Sequence, residues 1–145
     1  MEQDKIHTHV ILVNGIVVKQ HKILIVKRGV KEANQPGKWS IPGGKVEKTK
    51  GNIWKIIEKT LVKEIKEEVG IEVKRNLELL TNNTFIRSTG HHVVTLVFLC
   101  VWKSGRARPL EDTDATKWIN LDELGLYNFA PNVKRYIKKG FSRIQ

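Results

Sequence analysis

One cysteine in 145 residues, Cys100, leaves the chain without an internal disulfide or a zinc centre of several thiolates. That usage fits a reducing, cytoplasmic setting. Long apolar runs are also missing. Stretches such as Val10 to Val13 and Ile16 to Val18 fall far short of the roughly 18 residues that a membrane helix needs, so neither a spanning segment nor a membrane partner is expected. Met1 to Lys5 are polar and acidic where an export signal would place a basic stretch before an apolar one. The 11 glycines and 4 prolines nowhere gather into a linker, and no repeat or low-complexity tract divides the chain. One domain over residues 1–145 is the expectation, as a monomer or homodimer. With 40% hydrophobic residues it can bury a core of its own.

Acidic residues are scarce as well: 15 Asp+Glu stand against 26 Lys+Arg, a formal charge of +11. Such a surplus favours polyanionic partners, whether nucleic acid, phosphorylated small molecules or an acidic surface, or it serves solubility alone. The lysines are scattered, densest over 45–50 and 134–139, and no block of five or six like charges marks a nucleic-acid tail.

What is present reads as alternating strands and helices. His9 to Val18 and Ile23 to Lys27 are β-branched strands, with Lys19 to Lys22 as the turn between them. Asn14-Gly15 competes for that turn, but Gly15 lies among β-branched residues, where a small side chain allows close backbone approach. Trp39 to Ile41 is a short strand stopped by Pro42-Gly43-Gly44. From Asn52 to Val69, apolar residues at Trp54, Ile57, Leu61 and Ile65 keep helical spacing, with Asn52 as N-cap and Gly70 as C-cap. Asn83 to Arg87 and His91 to Trp102 are two more strands, the second apolar enough for burial on both faces. Neighbours His91 and His92 point to opposite sides of that strand, one to the core and one to solvent, which disfavours a joint metal role. Thr116 to Asn120 is a last short strand, and a final helix covers Pro131 to Lys139. The sum is an α+β fold with a mixed sheet.

Three carboxylates stand out in so basic a chain. Glu64, Glu67 and Glu68 are spaced to share one side of the long helix. At 100° per residue, counting from Trp54, Glu68 falls about 40° into the apolar arc, Glu64 at about 80° on its edge and Glu67 farther out at about 140°. Surface helices hold their acids opposite the apolar stripe. Either Glu68 is paired with a lysine and the others are solvated, or the three serve a hard cation such as Mg²⁺, which takes a few carboxylates together with water and phosphate.

Upstream of these acids stands PGGKVE, from Pro42 to Glu47, and after fifteen residues comes KEIKEEVGI, from Lys63 to Ile71. Loop, helix and closing glycine in that order resemble the box of the Nudix hydrolase family. The similarity extends through ILIVKRG and PGKWSIPGG before the box and LEDTDATKWINLDEL after it, covering about residues 9 to 124. Two positions depart from the pattern. Lys63 replaces the box arginine, whose rigid fork an ammonium does not reproduce. The loop between Gly44 and Glu64 is also longer than the family's, so that the position of the earlier box glutamate falls on Lys55, with Glu58 a stand-in.

The resemblance implies an α/β/α sandwich with one long catalytic helix and a C-terminal helix. It implies hydrolysis of a diphosphate bond by water with Mg²⁺ or Mn²⁺. Glu64, Glu67 and Glu68 would ligate the metal, one of them or a further acid acting as base, with a backbone carbonyl of Gly43 or Gly44 as an additional ligand. Glu47 matches the family's loop in a supporting, metal-binding or substrate-binding role. Among Glu111, Asp112 and Asp114 a further carboxylate is expected near the site, and Arg28 and Arg87 are candidates to bind substrate phosphate. Trp39, before the glycines, is expected to pack rather than to stack on a base. A nucleoside triphosphate is the first expectation for the substrate; ADP-ribose, dinucleoside polyphosphates and RNA 5′ ends remain open. The alternative is an idle domain of the same fold that senses nucleotides or binds RNA.

Overall fold

In the computed structural model, which describes residues 6–144, a mixed sheet of eight strands separates two helices. Met1 to Lys5, on which the absence of an export signal was argued, lie outside the described residues. No helix of the described residues is long and apolar enough to cross a membrane.

The two most β-branched segments form the centre. β1 (Val10–Lys19) runs parallel to β7 (His92–Ser104), in register from Val10 opposite Val93 to Val18 opposite Val101. β2 (Lys22–Arg28) folds back on β1 through Gln20 and His21, both at positive φ, as the turn at 19–22 requires. β3 (Trp39–Ser40) and β8 (Thr113–Ile119) flank β2, while β5 (Glu72–Val73) and β6 (Glu78–Ile86) pair with β7. The outer side of β1 is shared. β4 (Gly43–Lys45) pairs with Leu12–Asn14 and β2 with Val18–Lys19, and between them the Gly15 N–H donates to Pro42 O at 2.8 Å. That fork opens the sheet at its edge.

Strand alternation feeds two cores. Val13, Val17, Leu24, Phe98 and Cys100 meet Leu61, Ile65 and Val69 of helix α1 (Ile56–Val69) on one face. Ile16, Ile23, Ile25, Val97 and Ile119 meet Ile137 and Phe141 of helix α2 (Val133–Ile144) on the other. The result is the expected α/β/α sandwich. Gly15 lets α1 sit close to the sheet: a Cβ there would lie 3.1 Å from Cys100 Sγ and Ile65 Cδ1.

Several boundaries differ from the sequence expectation. α1 starts at Ile56 rather than Asn52, because Lys55 takes a left-handed conformation (φ 59°, ψ 37°) that no continuing helix passes through. Asn52 is therefore not the cap, and Trp54 is 77% exposed instead of opening the apolar stripe. Gly70 ends the helix at φ 73°, its N–H on Lys66 O, as expected. β6 begins at Glu78, five residues early, along a stretch of mixed polarity held by pairing with β7. β8 starts at Thr113 and α2 ends at Ile144, and β5 was not anticipated.

Candidate active site

The site is built where α1 faces β4. Gly43 and Gly44 lie against β1 on one side and the α1 carboxylates on the other. The Gly43 N–H donates to Glu68 Oε2 at 2.7 Å, and a Cβ on Gly44 would stand 2.5 Å from Glu64 Cδ. A Cβ on Gly43 would strike Val13 O. A side chain at Gly43 would have to move strand β1, and one at Gly44 would have to displace the Glu64 carboxylate, so the double glycine sets how near the carboxylates come to the backbone.

Glu68 is the acid that the angular arithmetic placed in the apolar arc. Burial pushes its carboxyl up to about 8 from the usual 4.5, against the pull of the Gly43 N–H, and Glu64 and Glu111 add to the rise while Arg28 opposes it. Glu64 is raised too, by burial first and then by Glu67 and Glu111. Glu67 is half-buried, turned to Lys63 Nζ at 3.7 Å, and does not line the cleft. Lys63 occupies the box-arginine position and holds one carboxylate by a single charge contact.

The loop that carries Glu111 is tied to the end of α1. Arg108 N donates to Val69 O and Leu110 N to Glu68 O, at 3.0 and 2.9 Å, taking carbonyls that the helix leaves free. Leu110 O then accepts from Thr113 N, and Glu111 projects from the bend at φ 47°. Glu111 and Asp112 line the cleft; Asp114 is exposed outside it, and Glu47 is exposed beside Lys45 at 3.8 Å.

The cleft measures about 620 Å³ and runs from these acids across the sheet edge toward the first turn of α2. Arg28 and Arg87 stand on its wall. Arg28 donates from Nε to Asn34 O and from Nη2 to Glu32 Oε2, at 2.7 and 3.1 Å, and so is braced in place. Toward α2 the lining turns neutral, with Leu12, Phe85, Thr95, Val133 and Tyr136. Thr95 and Tyr136 were missed by sequence reasoning. The available signal was the lone hydroxyl within the apolar run of β7.

His91 and His92 are both exposed, contrary to the expectation that one would face the core: His91 Nδ1 meets Thr89 Oγ1 at 2.6 Å, and His92 lies edge-on to His9. The β7 ladder begins only at His92, so the pair sits at a strand end, above the core. Trp39 packs edge-on against Tyr127 at 5.0 Å, a packing residue as expected.

Among the described residues no three His, Cys, Asp or Glu side chains converge on one point. The donor set nonetheless suits Mg²⁺, for which one or two carboxylates with water and substrate phosphate suffice. Glu64 and Glu68, two mutually repelling acids raised by burial beside the half-buried glycine backbone, offer that.

The profile described as NUDIX domain matches residues 7–140. The ADP-ribose pyrophosphatase of Methanocaldococcus jannaschii is 31% identical over 116 residues, 79% of this chain and 63% of that protein, so the chain spans less than two thirds of that relative's length. Among solved structures, the MutT NUDIX hydrolase of Burkholderia pseudomallei superposes with a TM-score of 0.77 at 28% identity, covering 92% of this chain and 98% of that one. The NUDIX domain of Shewanella oneidensis NrtR complexed with ADP ribose does so at 0.78 and 18% identity, covering 97% and 91%, a likeness of fold.

Proposed function

The chain belongs to the NUDIX family, and from that premise we propose that it is a metal-dependent pyrophosphohydrolase that cleaves the diphosphate of a nucleoside diphosphate derivative. The observation that carries this reading is the meeting of Glu64 and Glu68 with the Gly43-Gly44 backbone at the head of a cleft whose wall bears Arg28 and Arg87. ADP-ribose is the favoured substrate because the curated relative named above is an ADP-ribose pyrophosphatase; a nucleoside triphosphate is the second choice.

Glu64 and Glu68 would hold Mg²⁺ or Mn²⁺, with a backbone carbonyl of Gly43 or Gly44. When bound, such an ion neutralises charge on phosphate oxygens and acidifies a coordinated water. Arg28 and Arg87 bind and orient the diphosphate from the wall. Arg28 does so as a fork pre-set by Asn34 and Glu32, which limits the entropy lost on binding. Glu111 is the acid placed to take a proton from the attacking water, since it faces Glu64 and Glu68 from a separate loop and remains solvent-accessible. Glu67 and Glu47 play supporting parts through the charge they add around Glu64.

Purified protein incubated with ADP-ribose, ATP, dGTP, a diadenosine polyphosphate and 5′-triphosphorylated RNA, with Mg²⁺ or Mn²⁺, tests the reading by product chromatography. AMP and ribose 5-phosphate from ADP-ribose are expected. Nucleotide binding without turnover of any substrate would instead leave the idle, nucleotide-sensing alternative.

A further inference from the structure

The loop over 46–55, between β4 and α1, is held at both ends and bare in between. The Val46 N–H donates to Ile11 O at 2.9 Å, and the side chains of Val46 and Ile57 pack on the core beneath α1. Every residue from Glu47 to Lys55 is exposed. Trp54 is 77% exposed and Ile53 beside it 42%. The other three tryptophans, Trp39, Trp102 and Trp118, pack against the two cores. An indole left in water forgoes the burial that makes the residue useful, and a mere connector would place a polar side chain there. Its backbone is nonetheless fixed. Lys55 turns left-handed at φ 59° and its carbonyl accepts the Lys59 N–H at 3.0 Å, so Trp54 is presented from the root of α1.

Charge says what that indole meets. Over 48–57 the chain carries three lysines, Lys48, Lys50 and Lys55, and no acid. Among the described residues none of the three is in an ion pair. The loop also leaves β4 at Lys45, which lines the cleft, so the cations continue outward from the cleft's rim. An aromatic face among free cations suits a polymer that alternates flat rings with phosphates. A second copy of the chain is a poor occupant, because two such loops repel one another. Two apolar side chains also offer too little surface to hold a bilayer, whose grip scales with the apolar area inserted. This is the stretch in which the chain is longer than the box loop of its family, so the feature belongs to this chain.

We propose that the loop over 46–55 is a docking surface for single-stranded nucleic acid, with Trp54 stacking on a base and Lys48, Lys50 and Lys55 meeting phosphates. The inference goes beyond the pyrophosphohydrolase reading and does not rest on it. Fluorescence anisotropy of the full chain with 3′-labelled adenine oligomers of about ten nucleotides, within the span of one such site, is the experiment. Their 5′ ends are hydroxyls, so the result is independent of diphosphate chemistry. Binding of the RNA or the DNA oligomer is expected, and their ratio shows which sugar the surface prefers. Trp54→Ala should weaken that binding about tenfold, as the loss of one stacked base allows, and should melt with wild type because the indole is not packed. Trp54→Phe should keep most of the affinity. A duplex of the same length, whose bases are not free to stack, should be indifferent to Trp54→Ala. The triple variant Lys48→Gln, Lys50→Gln, Lys55→Gln should lower the slope of log affinity against log salt by about 2. The proposal is overturned if wild type binds neither oligomer, if Trp54→Ala binds them as wild type does, or if the triple variant keeps the full salt slope. Sedimentation with phosphatidylserine vesicles that depends on Trp54, while oligomer binding does not, would overturn it in favour of a membrane surface.

Discussion

Glu68 is held by two opposed forces: burial within the apolar arc of α1 raises its carboxyl to about 8, while the Gly43 N–H at 2.7 Å favours the anion. The native value exceeds the usual 4.5, so between those limits the folded state binds the extra proton. Its contribution to stability is full below about 4.5 and is lost as pH rises through about 8. Glu64, raised in the same direction, adds with the same sign. A cation binds the deprotonated form, so thermal melts with and without Mg²⁺ should show a larger Mg²⁺ gain at pH 8.5 than at pH 5.5; an equal gain would place the ion elsewhere. Glu68→Gln keeps the shape and the Gly43 contact but removes the charge. A fall in kcat of about a hundredfold or more is expected in steady-state assays, with melting near pH 5 close to wild type and without the loss of stability that Glu68 brings as pH rises through about 8. Lys63→Arg should leave kcat unchanged or raise it, since Arg replaces one charge contact to Glu67 with a fork; a large loss on the same assay would give the ammonium a role of its own.

The elements meet at β4 and α1, and their separation is set by a missing side chain. Gly44→Ala inserts a Cβ 2.5 Å from Glu64 Cδ, and the half-buried carboxylate has to swing away or α1 has to shift. Overpacking of that kind costs about 1–3 kcal/mol. Urea denaturation should show this loss, and kcat should fall more steeply than stability accounts for; near-normal kcat would separate Glu64 from the chemistry. This region was legible in the sequence because the glycines, the helical period and the Gly70 stop are each local. The angular arithmetic that set Glu68 inside the apolar arc and Glu67 outside it describes the difference seen between a carboxylate on the cleft and one on Lys63. The start of α1 was not legible: Trp54 keeps the helical spacing, yet one left-handed residue, Lys55, decides the boundary, and nothing in a lysine signals that conformation. Strand β6 was obscure for another reason. Glu78 to Thr81 and Asn82 to Thr84 carry little β pattern and are extended because β7 lies alongside. Thr95 and Glu111 depend on contacts between elements distant in sequence, which no local period encodes.

Across the whole molecule the charge is uneven in a way that suits a phosphate substrate. The sequence carries +11, while the head of the cleft holds Glu64, Glu68, Glu111 and Asp112. The acids alone would repel a nucleotide; the lysines and arginines around them produce a long-range attraction, and Arg28 and Arg87 at the wall lead from one field to the other. Attraction of this kind acts on encounter. It weakens once the screening length falls from about 10 Å at 0.1 M salt to about 3 Å at 1 M, whereas a substrate already seated within the cleft is screened much less. Raising NaCl from 0.05 to 0.5 M at constant Mg²⁺ should therefore lower kcat/KM for ADP-ribose severalfold and leave kcat within about twofold. A polymer engaging many lysines at once behaves differently, because each neutralised phosphate adds to the salt slope. If kcat/KM for a 5′-triphosphorylated RNA falls no faster with salt than that for ADP-ribose, the basic surface serves small anions and the RNA body makes no use of it. A much steeper fall for the RNA would show that the scattered lysines over 45–50 and 134–139 act together as a surface for the chain behind the triphosphate.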